Sequence, residues 1–310
     1  MSAAAPGEST PAELSGGPAT KLDRLVALAA AARPAQWVKN LVLPLPFLFG
    51  AALGTADGWV LAAAGLAVFC VITSGVYIFN DVADRERDRS HPVKRFRPLA
   101  SGRLTASTAV PAAAILEAGG LVAAFLLGRE FGFWCAVYAA LMLTYSLLWK
   151  RVPFLEALVV ASGMPLRALA GAALAGVSPS PFLMGCAYLL ALFLVAGKRQ
   201  WEFLNAEPGH RPALAAYREE GLDHLFILTG LATVAAYAAY STSAHTIALY
   251  GRSLAPTVPW VVLGIGRYVR LVYKHGGGGN PTRALLTDDP WLLGIVIGWV
   301  ATAGWIIYGH

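Results

Sequence analysis

Four side chains near the end of one apolar stretch could do phosphate chemistry. The run F-N-D-V-A-D-R-E-R-D-R-S-H-P (79–92) sets Asn80, Asp84 and Asp88 at i, i+4 and i+8, with Asp81 beside them. On a continuing helix these three share one face over about 12 Å, at 1.5 Å per residue. Stacked carboxylates repel unless cations intervene, and Mg²⁺ prefers carboxylate oxygens together with substrate phosphates. The row therefore suits a metal-bound diphosphate, with Asp81, Asp84 and Asp88 as the metal ligands and Asn80 orienting the site. Lys94, Arg95, Arg97 and Arg103 follow at once. Metal and cations converging on one place is what diphosphate binding needs. A charged juxtamembrane loop can also carry such residues for solvation and i,i+4 pairing alone. The helical spacing, Asn80 at the apolar end and the basic group that follows weigh against that plainer reading.

Other charges stand where charge is costly. Arg167 lies within an apolar stretch, where an unpaired charge costs at least about 2.5–3.5 kcal/mol on insertion scales. It should face a polar cavity and meet an anion, either Glu156 some three turns earlier or a substrate phosphate. Glu117 is expected to pair within the protein, and Arg267 and Arg270 carry no assigned role. Arg33, Gln36 and Lys39, at i, i+3 and i+6, present two cations and an amide on roughly one face; with Trp37 they could equally anchor the chain at an interface. Lys150 and Arg151, like Lys198 and Arg199, end apolar stretches, a position that basic residues also take as topology signals. Glycines 276–279 lack the Lys-Ser/Thr and the strand-to-helix setting of a phosphate loop and are read as a linker.

The elements that must hold these groups are membrane helices. Of 310 residues 57% are apolar and 14% charged, with a mean hydropathy of +0.58. Soluble domains carry about 25% charged residues, so a soluble class is excluded, and so is a disordered one. Cys70, Cys135 and Cys186 sit in apolar runs and form no disulfide framework or metal cluster. The net charge of +6 on so apolar a chain points to an anionic membrane surface, not to nucleic acid. Residues 1–20 read as a disordered tail rather than a secretory signal, and 22–34 as a short interfacial helix. The remainder, 21–310, forms one all-α membrane domain. Nine spans can be drawn at 38–54, 58–79, 107–128, 130–149, 155–176, 180–197, 223–247, 255–273 and 290–308, each near the roughly 20 residues that a bilayer requires. The first contains Pro44 and Pro46 and should bend. With the N-terminus in the cytoplasm, nearly every basic residue falls on that side and only Arg129 and Arg252 face outward, as the positive-inside rule demands. The two long charged loops, 80–106 and 198–222, lie on the same cytoplasmic face, where chemistry is expected.

At this point the chain resembles a known family. N-D-V-A-D-R-E-R-D is similar to the first Asp-rich motif of the UbiA superfamily of intramembrane prenyltransferases. Four stretches, R-P-A-Q-W-V-K-N (33–40), H-P-V-K-R-F-R-P-L-A-S-G (91–102), R-A-L-A-G (167–171) and V-A-G-K-R-Q-W-E (195–202), resemble its branch that transfers phosphoribose to decaprenyl phosphate. The resemblance implies a nine-helix bundle in the inner (plasma) membrane with a polar cap over a cavity. Typical members carry a second Asp-rich motif after the sixth span. Here Lys198 and Arg199 stand in its place and Glu202 is the nearest carboxylate. A cationic second site suits a second anion better than a second metal. Tyr145, five residues before Lys150, is similar to a tyrosine-to-lysine signature of the superfamily with one extra residue of spacing.

The resemblance then implies a Mg²⁺-dependent membrane phosphoribosyltransferase. Its substrates would be 5-phosphoribosyl 1-diphosphate and a polyprenyl phosphate, and its product would feed arabinose-donor synthesis for the cell wall. Lys94, Arg95 and Arg97 would meet the donor's phosphates. Arg33, Gln36, Lys39, Lys150, Lys198, Arg199 and Arg167 would bind phosphate as well. A conventional prenyltransferase with an aromatic acceptor lacks its second acidic motif here. A lipid-phosphate transporter would not call for a metal-spaced row beside a basic loop. A homo-oligomer is compatible with all three readings.

Overall fold

The structure is a computed structural model that describes residues 20–49, 56–152, 154–205, 219–274 and 278–309. Of the expected N-terminal tail only Thr20 is described, and it is ordered into a cap. Its side chain accepts from the Asp23 amide at 3.1 Å while the Asp23 carboxylate accepts from the Thr20 amide at 2.9 Å. This reciprocal box satisfies two free amides at the start of helix α1, Lys21–Ala31. Ala27 and Ala31 pack onto Ile78, Leu99 and Leu104, leaving Leu22, Leu25 and Val26 exposed on the other side, as an interfacial helix requires.

A 3₁₀ helix over Pro34–Val42 and a short helix α2, Leu45–Phe49, follow. Their described part shows why the first expected span is not one straight helix. Pro44 and Pro46 each remove an amide donor, and the chain tightens into i→i+3 bonding before them. Helix α3, Ala56–Arg89, is 34 residues long, about 51 Å, well beyond a hydrocarbon layer of about 30 Å. The loop expected from residue 80 therefore begins only at Ser90. The run 80–89 lacks Gly and Pro and is rich in residues that tolerate helix, and Pro92 disfavours helix at its predecessor.

The rest is an antiparallel succession: α4 Ala106–Leu127, α5 Arg129–Leu147, α6 Leu155–Ala175, α7 Pro181–Leu204, α8 Glu219–Thr242, a short α9 Ala244–Tyr250, α10 Val258–Tyr273 and α11 Pro290–Tyr308. Consecutive long helices pack on one another, and α3 also meets α5 and α6. Seven of these helices, α3 to α8 and α11, are long and apolar enough to cross a bilayer. The eighth expected span is α10, 16 residues or about 24 Å. Its Arg267 bonds Asp289 at 2.7 Å, and Asp289 caps α11 by accepting from the amides of Trp291 and Leu292. Among the described residues there is no strand. The alternation gathers the end of α3, the start of α4, the α5–α6 and α10–α11 turns and the end of α7 at one charged end of the bundle. Glu117 does not find the basic partner expected of it among the described residues. Its carboxylate lies against Gly75 of α3, where a Cβ would come within 2.8 Å.

Candidate functional site

The last turns of α3 carry the carboxylate row, and a cation from a different element meets each acid. Asp81 and Asp88 are only 2% and 3% exposed, so their charges need compensation. Arg97, from the loop after α3, spans both, with Nη1 at 3.2 Å from Asp81 and 2.6 Å from Asp88. Arg33 also donates to Asp81. Lys150, from the turn after α5, donates to Asp84 at 2.6 Å. Asn80, at the head of the row, keeps a buried Oδ1 with no hydrogen-bond partner among the described residues. Among those residues no three acidic, imidazole or thiol groups stand close enough to enclose an ion as they lie. Asp84 is drawn toward Lys150 while Asp81 and Asp88 share Arg97. The donors still fit a hard divalent cation. They are oxygen ligands on one helix, two of them already converging on a single positive group, with an orphaned carbonyl oxygen beside them.

The 3₁₀ helix presents its residues in three straight rows, because three residues make one turn. Gln36 and Lys39 form the first row, and Arg33 precedes the helix as its N-cap. Arg33 reaches Asp81 and lies over the Tyr77 ring at 5.3 Å, and Lys39 sits near enough to Lys198, Arg167 and Arg33 to feel their charges. Trp37 and Asn40 form the second row, against α3: Trp37 Nε1 donates to Ser74 at 3.1 Å, and Asn40 Nδ2 to Thr73 at 3.1 Å. Ala35, Val38 and Leu41 form the third row, with Ala35 and Leu41 exposed. Arg33 itself takes a left-handed backbone, φ 52° and ψ 61°. That costs a non-glycine residue roughly 1–2 kcal/mol, and the contacts with Asp81 and Tyr77 hold it there.

Arg167 is buried, 6% exposed, and its guanidinium is already occupied. It donates to Asn40 Oδ1 at 2.8 Å, Gly163 O at 2.6 Å and Tyr138 Oη at 2.9 Å. Its protein partners are thus neutral oxygens, and Glu156 is not among them. Glu156 instead pairs with Arg199 at 2.6 Å, and Arg199 also binds Glu202 at 2.6 Å. Tyr145 lies near enough to Arg199 to act on its charge. Lys94 stays half-buried in its 3₁₀ turn, and the exposed Arg95 lies over the Phe96 ring at 4.8 Å. Arg103 braces that loop by donating to Phe96 O at 2.7 Å. The residue that sequence reading missed is Asn40. It stood inside the stretch 33–40, and its burial depends on partners from α3 and α6 that no local pattern announces. The glycines read as a linker are misread in their described half. Gly278 and Gly279 lie under the Trp201 indole, where a Cβ on Gly279 would come within 2.5 Å of the ring. Residues 276 and 277 lie outside the described residues. A cleft between α4 and α5, about 760 Å³ and lined by Phe125, Arg129, Glu130, Phe133 and Trp134, contains none of these groups.

The described residues thus form a helical bundle, apolar enough to cross a bilayer, with an acid row and converging cations at one end. The chain belongs to the UbiA prenyltransferase family, which matches residues 41–276. It is 35% identical to the decaprenyl-phosphate phosphoribosyltransferase of Corynebacterium glutamicum over 87% of this chain and 83% of that protein. The enzyme of the same name from Mycolicibacterium smegmatis is 31% identical, over 91% of this chain and 92% of its own length. Among solved structures, a UbiA homologue from Archaeoglobus fulgidus bound to GPP and Mg²⁺ superposes with a TM-score of 0.69. It is 18% identical and covers 91% of this chain and 99% of that one.

Proposed function

We propose that this protein transfers 5-phosphoribose from 5-phosphoribosyl 1-diphosphate to a polyprenyl phosphate, releasing diphosphate. One observation carries the reading: among the described residues the end of α3 carries the carboxylate row, and the end of α7 carries Lys198 and Arg199 where a second acid motif would stand. The 31–35% identity to decaprenyl-phosphate phosphoribosyltransferases supports it. The acid row would take the diphosphate and the cationic end of α7 the acceptor's phosphate.

Asn80, Asp81, Asp84 and Asp88 would hold Mg²⁺, which when bound withdraws charge from the leaving diphosphate. Arg33, Arg97 and Lys150 already converge on these acids and would carry donor phosphates beside them, with Lys94 next along the loop. The acceptor phosphate oxygen is ionised at neutral pH and needs no general base. It forms a bond to the anomeric carbon from the face opposite the diphosphate as the carbon–diphosphate bond breaks, inverting the centre. Arg199 and Arg167 have protein partners and act as positioning groups. The charge asymmetry orients the site toward the cytoplasm of a plasma-membrane protein.

Product analysis tests the proposal. Purified protein, Mg²⁺, phosphoribosyl-labelled donor and polyprenyl phosphate should move label into the lipid phase. Label that stays water-soluble with well-folded protein would refute it.

A further inference from the structure

We propose that Lys150 is an exchangeable counter-ion of the carboxylate row: it holds an oxygen that a metal would use and yields it only to an arriving diphosphate, so that metal and diphosphate bind as one unit. The inference rests on the function proposed above and deepens it by giving Lys150 a task at the donor end of the site.

The row is already balanced. Asp81 meets Arg33 and Arg97, Asp88 meets Arg97, and Asp84 meets Lys150, so three carboxylates are matched by three cations. A free divalent cation finds little surplus of negative charge there. It also finds its oxygens in use. Lys150 Nζ stands 2.6 Å from Asp84 Oδ1, and the two side chains are only 9% and 16% exposed. Asp84 can turn toward a metal shared with Asp81 and Asp88 only if the ammonium lets go. An ammonium this far from water then needs another anion. A diphosphate offers its oxygens to the ammonium, and its charge offsets that of the added metal.

Of the three cations, Lys150 is the one placed for exchange. Arg33 is held by its left-handed turn and by the Tyr77 ring, and Arg97 joins two acids at once. Among the described residues Lys150 faces one acid, across 66 residues of sequence, from the short 3₁₀ turn Trp149–Arg151. Its ammonium ends a flexible four-carbon stem and carries three rotatable donors. It can turn from Asp84 to a phosphate oxygen beside it without any movement of α3.

Equilibrium dialysis of the full-length protein in detergent tests this, with Mn²⁺ and labelled inorganic diphosphate as probes and no acceptor present. Wild type should hold each probe roughly tenfold or more tightly when the other is present, because coupling is reciprocal. Lys150→Met should open the row to metal alone, binding Mn²⁺ without diphosphate roughly tenfold or more tightly than wild type, the equivalent of one charge-assisted hydrogen bond. Lys150→Gln, which still offers Asp84 a hydrogen bond, should do the same and guards against a Met variant that fails to fold. Lys150→Arg should return the weak wild-type affinity for metal alone. Mn²⁺ alone should also raise the melting temperature of Lys150→Met more than that of wild type. If Lys150 only braced the fold or only bound phosphate, its loss would leave the affinity for metal alone unchanged or lower, and that result would overturn the exchange. So would wild type binding Mn²⁺ as tightly alone as with diphosphate, a comparison that decides the matter if neither neutral variant folds. The assay needs no turnover. Coupled binding in a wild type that transfers no phosphoribose would sink the proposed function and leave the exchange standing, and transfer without the Lys150 effect would do the reverse.

Discussion

Asp84 and Asp88 differ in how they are held, and that difference shapes what their loss should do. Asp88 is buried and bridged to Asp81 through Arg97, whereas Asp84 is half-buried with Lys150 as its partner. Asp84→Ala and Asp88→Ala should each cut kcat at least about a hundredfold if the row carries the metal and leaving group, with both proteins still monodisperse in detergent. Mg²⁺-dependent turnover surviving in either would move the metal elsewhere. Arg199 should behave differently. It sits between Glu156 and Glu202, and removing it strands Glu156, 6% exposed, without its cation. Breaking a buried pair from one side costs about 3–5 kcal/mol, so Arg199→Met should lower the melting temperature. Adding Glu156→Gln should recover part of the loss, and a double variant less stable than Arg199→Met would reject the pairing. The acid row was legible in the sequence because its members lie within nine residues of one another and share a helical period. The partners of Arg199 and Arg167 were not. Glu156 lies 43 residues before Arg199 and Asn40 lies 127 before Arg167, so their pairing exists only once α6 and its neighbours have packed.

At the scale of elements, the 3₁₀ helix depends on how closely α6 lets it approach. A Cβ on Gly171 would fall 1.9 Å from the Leu43 carbonyl oxygen, a backbone atom that cannot swing aside. Gly171 lies one turn beyond Arg167 on α6, and Leu43 three residues beyond Asn40, so the glycine contact and the Arg167–Asn40 bond lie side by side. Gly171→Ala should therefore push the segment off α6. We expect a lower melting temperature. Ala at Gly176, where φ is +67° with open space around it, should strain the backbone but leave substrate affinities alone. An unchanged melting temperature in Gly171→Ala would show that the segment can move off α6 without cost. Helix existence and order were readable from hydropathy, since long apolar runs in a bilayer leave few alternatives. The 3₁₀ geometry was not, because spacing of i, i+3 and i+6 fits a loosely aligned α-face as well as a straight 3₁₀ row. The glycine run was misread for a related reason: composition announces freedom, whereas Gly278 and Gly279 are used for close approach to Trp201.

At the scale of the whole molecule, the same charges that build the site also orient it. The charged end holds the row, the basic loop, the α5–α6 turn and the end of α7, while the connections at the other end carry Arg129 and Arg252. A charge held at mid-membrane costs at least a few kcal/mol, so in the proposed orientation the gathered cations would stay on the side where the chain is made. Phosphoribosyl diphosphate and free Mg²⁺ would then need only to reach the cytoplasmic mouth, and the lipid's phosphate would meet them at the interface. The arrangement can be read out without any activity measurement. Cys70, Cys135 and Cys186 are all buried, so the native thiols give a quiet background for a membrane-impermeant maleimide. Arg87 and Arg129 are exposed at opposite ends. In intact cells Arg129→Cys should label and Arg87→Cys should not, and lysis should make Arg87→Cys react as well. Labelling of Arg87→Cys from outside would turn the molecule over and place the acid row where its proposed donor is not made.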